Sequence, residues 1–129
     1  MISHISLIRV KIVDPDMDLL RHAVEFLARE MGAELVNEIE DYYGNRTRVS
    51  LGIKNSTFFR GVGFEVGENG EINIKGDFWG ISQREVENLK LGLVKHYTAF
   101  ATFTALRSMG YQVRATKVKD SIYIKAVAW

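Results

Sequence analysis

Cysteine is absent from this 129-residue chain, and proline occurs once. The first absence removes disulfides, thiolate nucleophiles, iron–sulfur clusters and Cys-based zinc sites together. Long apolar runs are missing too. The longest charge-free stretch of the second helix, His96 to Leu106, includes three threonines and falls short of the roughly 20 residues that a membrane span needs. The opening MISHISLIRVK lacks a charged-then-apolar signal pattern and already carries Arg9 and Lys11. Neither sign of charge dominates, with 17 Lys+Arg against 16 Asp+Glu. The expectation is a soluble, cytoplasmic, single-domain protein whose 47% hydrophobic residues can build a substantial core. Near-neutrality hides an asymmetry, however. Residues 1–43 hold four basic and nine acidic side chains, whereas residues 44–129 hold 13 and seven.

Residues 5–13 alternate with period two, Ile8, Val10 and Ile12 on one face and Arg9 and Lys11 on the other, which predicts a strand. Asp14-Pro15-Asp16 predicts a helix start, with Asp14 as cap, Pro15 in the first helical position and Asp16 complementing the dipole. Leu20, Val24, Leu27 and Met31 form the apolar stripe of that helix, and Gly32 supplies a left-handed stop. Residues 33–54 read as a hairpin around Tyr43-Gly44-Asn45. A three-residue loop pairs Glu34 with Lys54, Glu38 with Ser50 and Glu40 with Arg48. It also sets Leu35 beside Ile53, Asn37 beside Leu51 and Ile39 beside Val49, so the faces stay unmixed.

A second hairpin, residues 58–66 with 71–78, pairs Val66 with Ile72 and Phe64 with Ile74 across Glu68-Asn69-Gly70, and puts Gly70 at a left-handed bulge position. Ser82-Gln83-Arg84-Glu85 is a capping box. It opens a helix that extends to Met109, with Val86, Leu89, Leu93, Tyr97, Phe100 and Phe103 as its stripe. Tyr111–Val118 and Ile122–Ala128 close the chain as a hairpin, matching Val113 to Ala126 and Ala115 to Ile124 inside, with Arg114 beside Lys125 outside. The order is β-α-β-β-β-β-α-β-β. Hairpins dominate, so the expected fold is α+β: a curved, mainly antiparallel sheet with both helices packed on one face. The β-α-β4-α portion has the order of TATA-binding-protein-like and helix-grip architectures, an analogy of topology that carries no function.

Several local patterns coincide: Ser3-His4 before a strand and an Asp-led helix, Tyr42-Tyr43-Gly44-Asn45-Arg46-Thr47, Gly63-Phe64 with Asn69-Gly70 and Asp77-Phe78-Trp79, Tyr97 in its helix, and the closing Gly110-Tyr111-Gln112-Val113. At these spacings, over nearly the whole chain, the sequence resembles the hypothetical chloroplast reading frame 35 proteins of algae and cyanobacteria, a family of unknown function with bacterial and archaeal members. The resemblance implies no reaction and no cofactor. It implies one partner class, an AAA-type ATPase, because some members are encoded near one.

The residues that carry chemistry are few. His4, His22 and His96 show no metal-ligand spacing, so neither a metal nor a cofactor is expected. Gly61-Val62-Gly63-Phe64-Glu65-Val66-Gly67 lies inside a predicted strand with no helix after it, which fits a bulge or close packing better than a phosphate loop. Asp77, between Ile74 and Phe78-Trp79, is expected to hydrogen-bond the turn into the second helix, with a binding or catalytic role as the alternative.

Three non-catalytic functions rank ahead of an enzyme, which comes last because no nucleophile–base pair or metal spacing emerges. The leading expectation is a binding or adaptor module that self-associates or docks a protein partner. The surplus of positive charge at Arg107, Arg114, Lys117, Lys119 and Lys125 fits an acidic partner surface. A small-ligand binder would use a cavity between the second helix and the sheet, lined by Phe64, Trp79, Tyr97 and Phe100, with Asp77 nearby. A single-stranded nucleic-acid binder would use sheet-surface aromatics, from Phe58, Phe59, Phe78 and Trp79 flanking the fourth and fifth strands and Tyr42 and Tyr43 at the first hairpin tip, beside Arg46, Arg48 and Arg60, although a pI ≈ 8.0 is short of the basic footprint such proteins show.

Overall fold

The computed structural model describes residues 5–12, 14–68 and 70–128. Ser3-His4, Val13 and Asn69, which figured above, lie outside the described residues. The elements run β1 (Ser6–Val10), α1 (Met17–Met31), β2 (Glu34–Glu40), β3 (Arg46–Lys54), β4 (Val62–Val66), β5 (Ile72–Gly76), α2 (Gln83–Ser108), β6 (Gln112–Val118) and β7 (Ser121–Val127). The fold is α+β in the expected order, and every strand pair is antiparallel.

Five strands form one sheet in the order β1-β5-β4-β3-β2. The register Ile8↔Ile74↔Phe64 and Val10↔Ile72↔Val66 puts these apolar residues on a single face. Leu20, Val24 and Leu27 of α1 and Leu89, Leu93 and Tyr97 of α2 complete a single core with that face. Tyr97 also bonds the helix entry: Asp16 donates its backbone N–H to the Tyr97 hydroxyl at 2.8 Å.

Local chemistry explains most element ends. Gly32 closes α1 at φ 62, and Gly70 takes the left-handed position at φ 75, both conformations that a Cβ disfavours. Ser82 caps α2 by accepting from the Glu85 N–H at 3.2 Å. At α1 the cap is Asp16 instead of Asp14: its carboxylate accepts from Asp18 N at 2.8 Å and Leu19 N at 3.1 Å. A carboxylate caps only by reaching N–H groups two and three residues on, and the helix begins at Met17, two residues later than the proline suggests.

Two further expectations are corrected. In the first hairpin Glu34↔Lys54 and Leu35↔Ile53 hold, but an irregularity beyond Val36 shifts the distal pairs to Glu38↔Arg48, Ile39↔Thr47 and Glu40↔Arg46. Facing changes across the irregularity as well: Val49, expected beside Leu51 and Ile53, lies on the opposite face with Gly52 and Gly63, a break that strict alternation does not anticipate. At this irregularity Val49 folds over two glycines. A Cβ on Gly63 would lie 2.6 Å from Val49 Cγ1, and one on Gly52 would lie 3.0 Å from Val49 Cγ2. This is the close packing that the glycine-rich segment signalled.

The second correction concerns the closing hairpin. Its register is as expected, with Val113↔Ala126, Arg114↔Lys125 and Ala115↔Ile124. It forms a separate two-stranded sheet, however, and packs on α2 without joining the other five strands. Ala115 and Ala126 keep the face that Val113 and Ile124 turn toward α2 but remain exposed, since the hairpin has no further strands beside it among the described residues.

Candidate functional site: an aromatic loop cluster

The aromatics expected on the sheet face sit in loops, because β4 starts after Phe58-Phe59 and β5 ends before Phe78-Trp79. The face opposite the core instead carries Leu7, Arg9, Glu65, Asn73 and Lys75. The residues between β2 and β3, between β3 and β4, and between β5 and α2 converge around one buried carboxylate, that of Asp77.

Asp77 Oδ2 accepts from the Tyr42 backbone N–H at 2.6 Å, and Oδ1 accepts from the Trp79 N–H at 3.0 Å. The second bond is the turn into α2 that the sequence suggested. The first, spanning 35 residues, is tertiary. Arg60 completes the knot. Its Nη2 lies 3.9 Å from Asp77 Oδ1 and donates to the Trp79 carbonyl, while its guanidinium carbon stacks 4.4 Å from the Phe59 ring centroid. Arg60 Nε is buried with no hydrogen-bond partner among the described residues. The Arg60 carbonyl accepts from Glu40 N at 2.8 Å.

A second buried carboxylate shapes the β2–β3 loop. Asp41 Oδ1 accepts from the N–H groups of Tyr43 and Asn45, each at 2.9 Å, and Oδ2 accepts from Asn45 Nδ2 at 2.9 Å. An aspartate bonding backbone two residues ahead is a recognisable turn device, and the Asp41-Tyr42-Tyr43-Gly44-Asn45 segment carries its residue types. The loop runs from Asp41 to Asn45, two residues longer than the three-residue turn expected, which is what brings Asp41 into it.

This wiring displays three rings. Trp79 is 64% exposed, Tyr43 58% and Tyr42 54%. Tyr42 meets Trp79 edge-on with centroids 4.8 Å apart, and Tyr43 meets Tyr42 likewise at 5.5 Å. Large apolar area stands in solvent while the backbone beneath it is pinned by charged hydrogen bonds. The nearby cations are already engaged: the Arg60 side chain is only 9% exposed, and Arg46 lies 3.5 Å from Glu40 and 4.0 Å from Glu38. Of the three arginines expected to clamp a polyanion, Arg48 is exposed opposite Glu38, and Arg60 is not a surface group.

The four aromatics expected to line one cavity are not gathered. Phe64 and Tyr97 are buried in the core, Trp79 belongs to the loop cluster, and Phe100 lies elsewhere on α2. Phe100 does line a cleft of about 350 Å³, together with Phe26, His96, Phe103, Lys117 and Ile122, between the helices and the β6–β7 hairpin.

Beside that cleft, Glu30 of α1 gathers Lys95 at 3.2 Å, His96 Nε2 at 3.4 Å and the Lys117 ammonium. Partial burial pushes the Glu30 carboxyl up, but hydrogen bonds from Lys117 and Lys95 and the charges of His96 and Lys95 outweigh it and hold it at about 2. Burial lowers the pKa of His96, against an opposing pull from Glu30. His96 is therefore neutral at neutral pH, and there the pairing of Glu30 rests on the two lysines. Lys117 thus fastens the hairpin to α1, whereas Arg114, Lys119 and Lys125 are exposed on the hairpin. Among the described residues no group of three His, Asp or Glu is placed to hold a metal ion, and no helix is long and apolar enough to cross a membrane. Comparison with protein-family models, with curated proteins and with solved structures returns no match to this chain.

Proposed function

We propose that the protein is a non-catalytic binding module whose recognition surface is the Tyr42, Tyr43 and Trp79 cluster, and that it docks a protein partner there. One observation carries the reading: three rings more than half exposed stand on loops that two buried carboxylates and a buried arginine hold in place. Interface hot spots are enriched in tryptophan and tyrosine because these side chains bury large area and lose few rotamers. Pre-ordered loops lower the entropic cost of association further. The oxygens of Asp77 and Asp41 are filled by backbone donors and the Asn45 side-chain amide, which suits a scaffold role. Neutralisation of Arg46 and Arg60 favours a protein over a nucleic acid. The family resemblance adds an AAA-type ATPase as the first partner to assay.

The test compares wild type with Trp79→Ala, Tyr43→Ala and Leu91→Ala, the last an exposed control on α2, by surface plasmon resonance against the AAA-type ATPase of the same organism and against single-stranded DNA. Binding to the ATPase that falls at least tenfold for both ring variants and persists for Leu91→Ala supports the reading. Salt-sensitive retention of DNA alone, or protein binding indifferent to the rings, overturns it.

The 350 Å³ cleft supports a second reading, a small apolar ligand held under the hairpin, since its volume and aromatic lining fall within the usual range for such sites. An apolar fluorescent dye should then bind wild type and lose affinity on Phe100→Ala; equal affinity for both would remove this reading.

A further inference from the structure

Residues 98–128 include no buried residue. Those that are half-buried, Phe100, Phe103, Leu106, Tyr111, Val113, Ile122 and Ile124 with Ala99 and Ala101, are all apolar. Side chains of α1 and its cap meet α2 at Gly92, Lys95, His96, Tyr97 and Phe100, and the hairpin packs on α2 from β6 and β7. A two-stranded hairpin is marginal by itself and gains stability from further strands or a helix. Ordering this many residues against so little burial is unfavourable unless something more covers them.

Both edges of the hairpin are free among the described residues, since β6 and β7 pair only with each other. The two edges differ. Strand β6, QVRATKV, carries Arg114 and Lys117, charges of the kind that keep edges from pairing. Strand β7, SIYIKAV, carries one charge, and its Tyr123 is 61% exposed. On the hairpin's outer face Lys125 is directly opposite Arg114, a like-charge pair with no salt bridge to a carboxylate among the described residues.

We propose that β7 pairs antiparallel with β7 of a second copy across a twofold axis, making a four-stranded sheet β6-β7-β7-β6. Counting out from the two-residue Lys119-Asp120 loop, the ladder alternates so that Ile122, Ile124 and Ala126 turn their N–H and C=O groups to the free edge. Centring the axis on Ile124 pairs all seven residues of the strand. Ile122 then faces the partner's Ala126, extending the apolar layer over α2. Tyr123 faces the partner's Lys125, which gives each lysine a ring in place of a second cation. A register centred on Lys125 would oppose two ammonium groups and is disfavoured. The twofold repeats each contact, as a closed isologous dimer requires. This surface is separate from the Trp79 cluster, so the two proposals stand or fall independently.

The experiment is sedimentation equilibrium on the intact chain, wild type against Tyr123→Lys and against Leu91→Lys as an exposed control, with far-UV circular dichroism to confirm folding. Wild type and Leu91→Lys should be dimers at high micromolar concentration, and Tyr123→Lys should shift to monomer. Because the chain has no cysteine, Ser121→Cys/Val127→Cys reports the register directly: mild oxidation should give a covalent dimer linked between these positions. They lie at opposite ends of one strand and cannot join within one chain. A monomeric wild type overturns the proposal. So does a dimer that resists Tyr123→Lys or fails to cross-link.

Discussion

Replacing Asp77 by asparagine exchanges one carboxylate oxygen for an amide and removes the charge that faces Arg60. The carboxylate accepts two backbone N–H bonds, from Tyr42 at 2.6 Å and Trp79 at 3.0 Å. Asparagine has one carbonyl, so one of these donors loses its acceptor and meets an NH₂ group. A hydrogen bond to a charged group contributes about 1.5–3 kcal/mol. The Arg60 guanidinium is left almost buried without its counter-charge, and breaking a buried pair from one side costs about 3–5 kcal/mol. The two effects share a group and do not add, so Asp77→Asn should destabilise by about 3–5 kcal/mol, a large part of the roughly 5–15 kcal/mol typical of a domain. Thermal unfolding should fall by roughly 10–20 °C for a chain of this size. Urea unfolding followed by circular dichroism measures the loss. Arg60→Met should be comparably destabilising alone, and the double variant should lose less than the sum by about 1 kcal/mol or more. An Asp77→Asn protein within ~0.5 kcal/mol of wild type, or strict additivity, would refute the view that this knot holds the three loops together.

Two other perturbations follow from packing and titration. Gly63→Ala should destabilise by about 1–2 kcal/mol through its clash with Val49, and Gly63→Ala/Val49→Ala should recover part of the loss; the test is the urea midpoint of each variant. Acid should unfold the protein in two stages. His96 has a folded pKa below its ordinary 6.5, so its contribution is complete above 6.5 and is lost as pH falls below it. Glu30, held at about 2 against 4.5 in the unfolded chain, contributes fully above 4.5, and that contribution fades as pH falls toward 2. Glu30→Gln should remove the second stage, about 1–2 kcal/mol after allowing for solvent screening, and a pH–stability curve unchanged below 4.5 would contradict the pairing.

Much of the fold was legible from local pattern. The registers Val66↔Ile72, Phe64↔Ile74 and Arg114↔Lys125 follow from alternation plus a loop length, and both are written in a few adjacent residues. The Ser82 cap and the Gly32 stop are equally local. The candidate site was legible in its parts, since Tyr42, Tyr43, Asp77 and Trp79 each stood out, but not in its assembly. The Tyr42–Asp77 bond joins residues 35 apart. Arg60, outwardly one more basic side chain, is drawn inward only because that carboxylate waits there.

The sequence by itself determined the absence of cysteine chemistry, the α+β order and which side chains alternate toward a core, because these depend on residue type and short-range period. Tertiary structure alone decided three things. Val49 folds over Gly52 and Gly63, and the distal register of the first hairpin lies two residues from the expected one. The last hairpin leaves the main sheet for α2, and Lys117 reaches Glu30 across 87 residues. Three rings gather over Asp77. Each depends on the positions of groups far apart in the chain, and neither hydrophobic period nor turn chemistry encodes such distances.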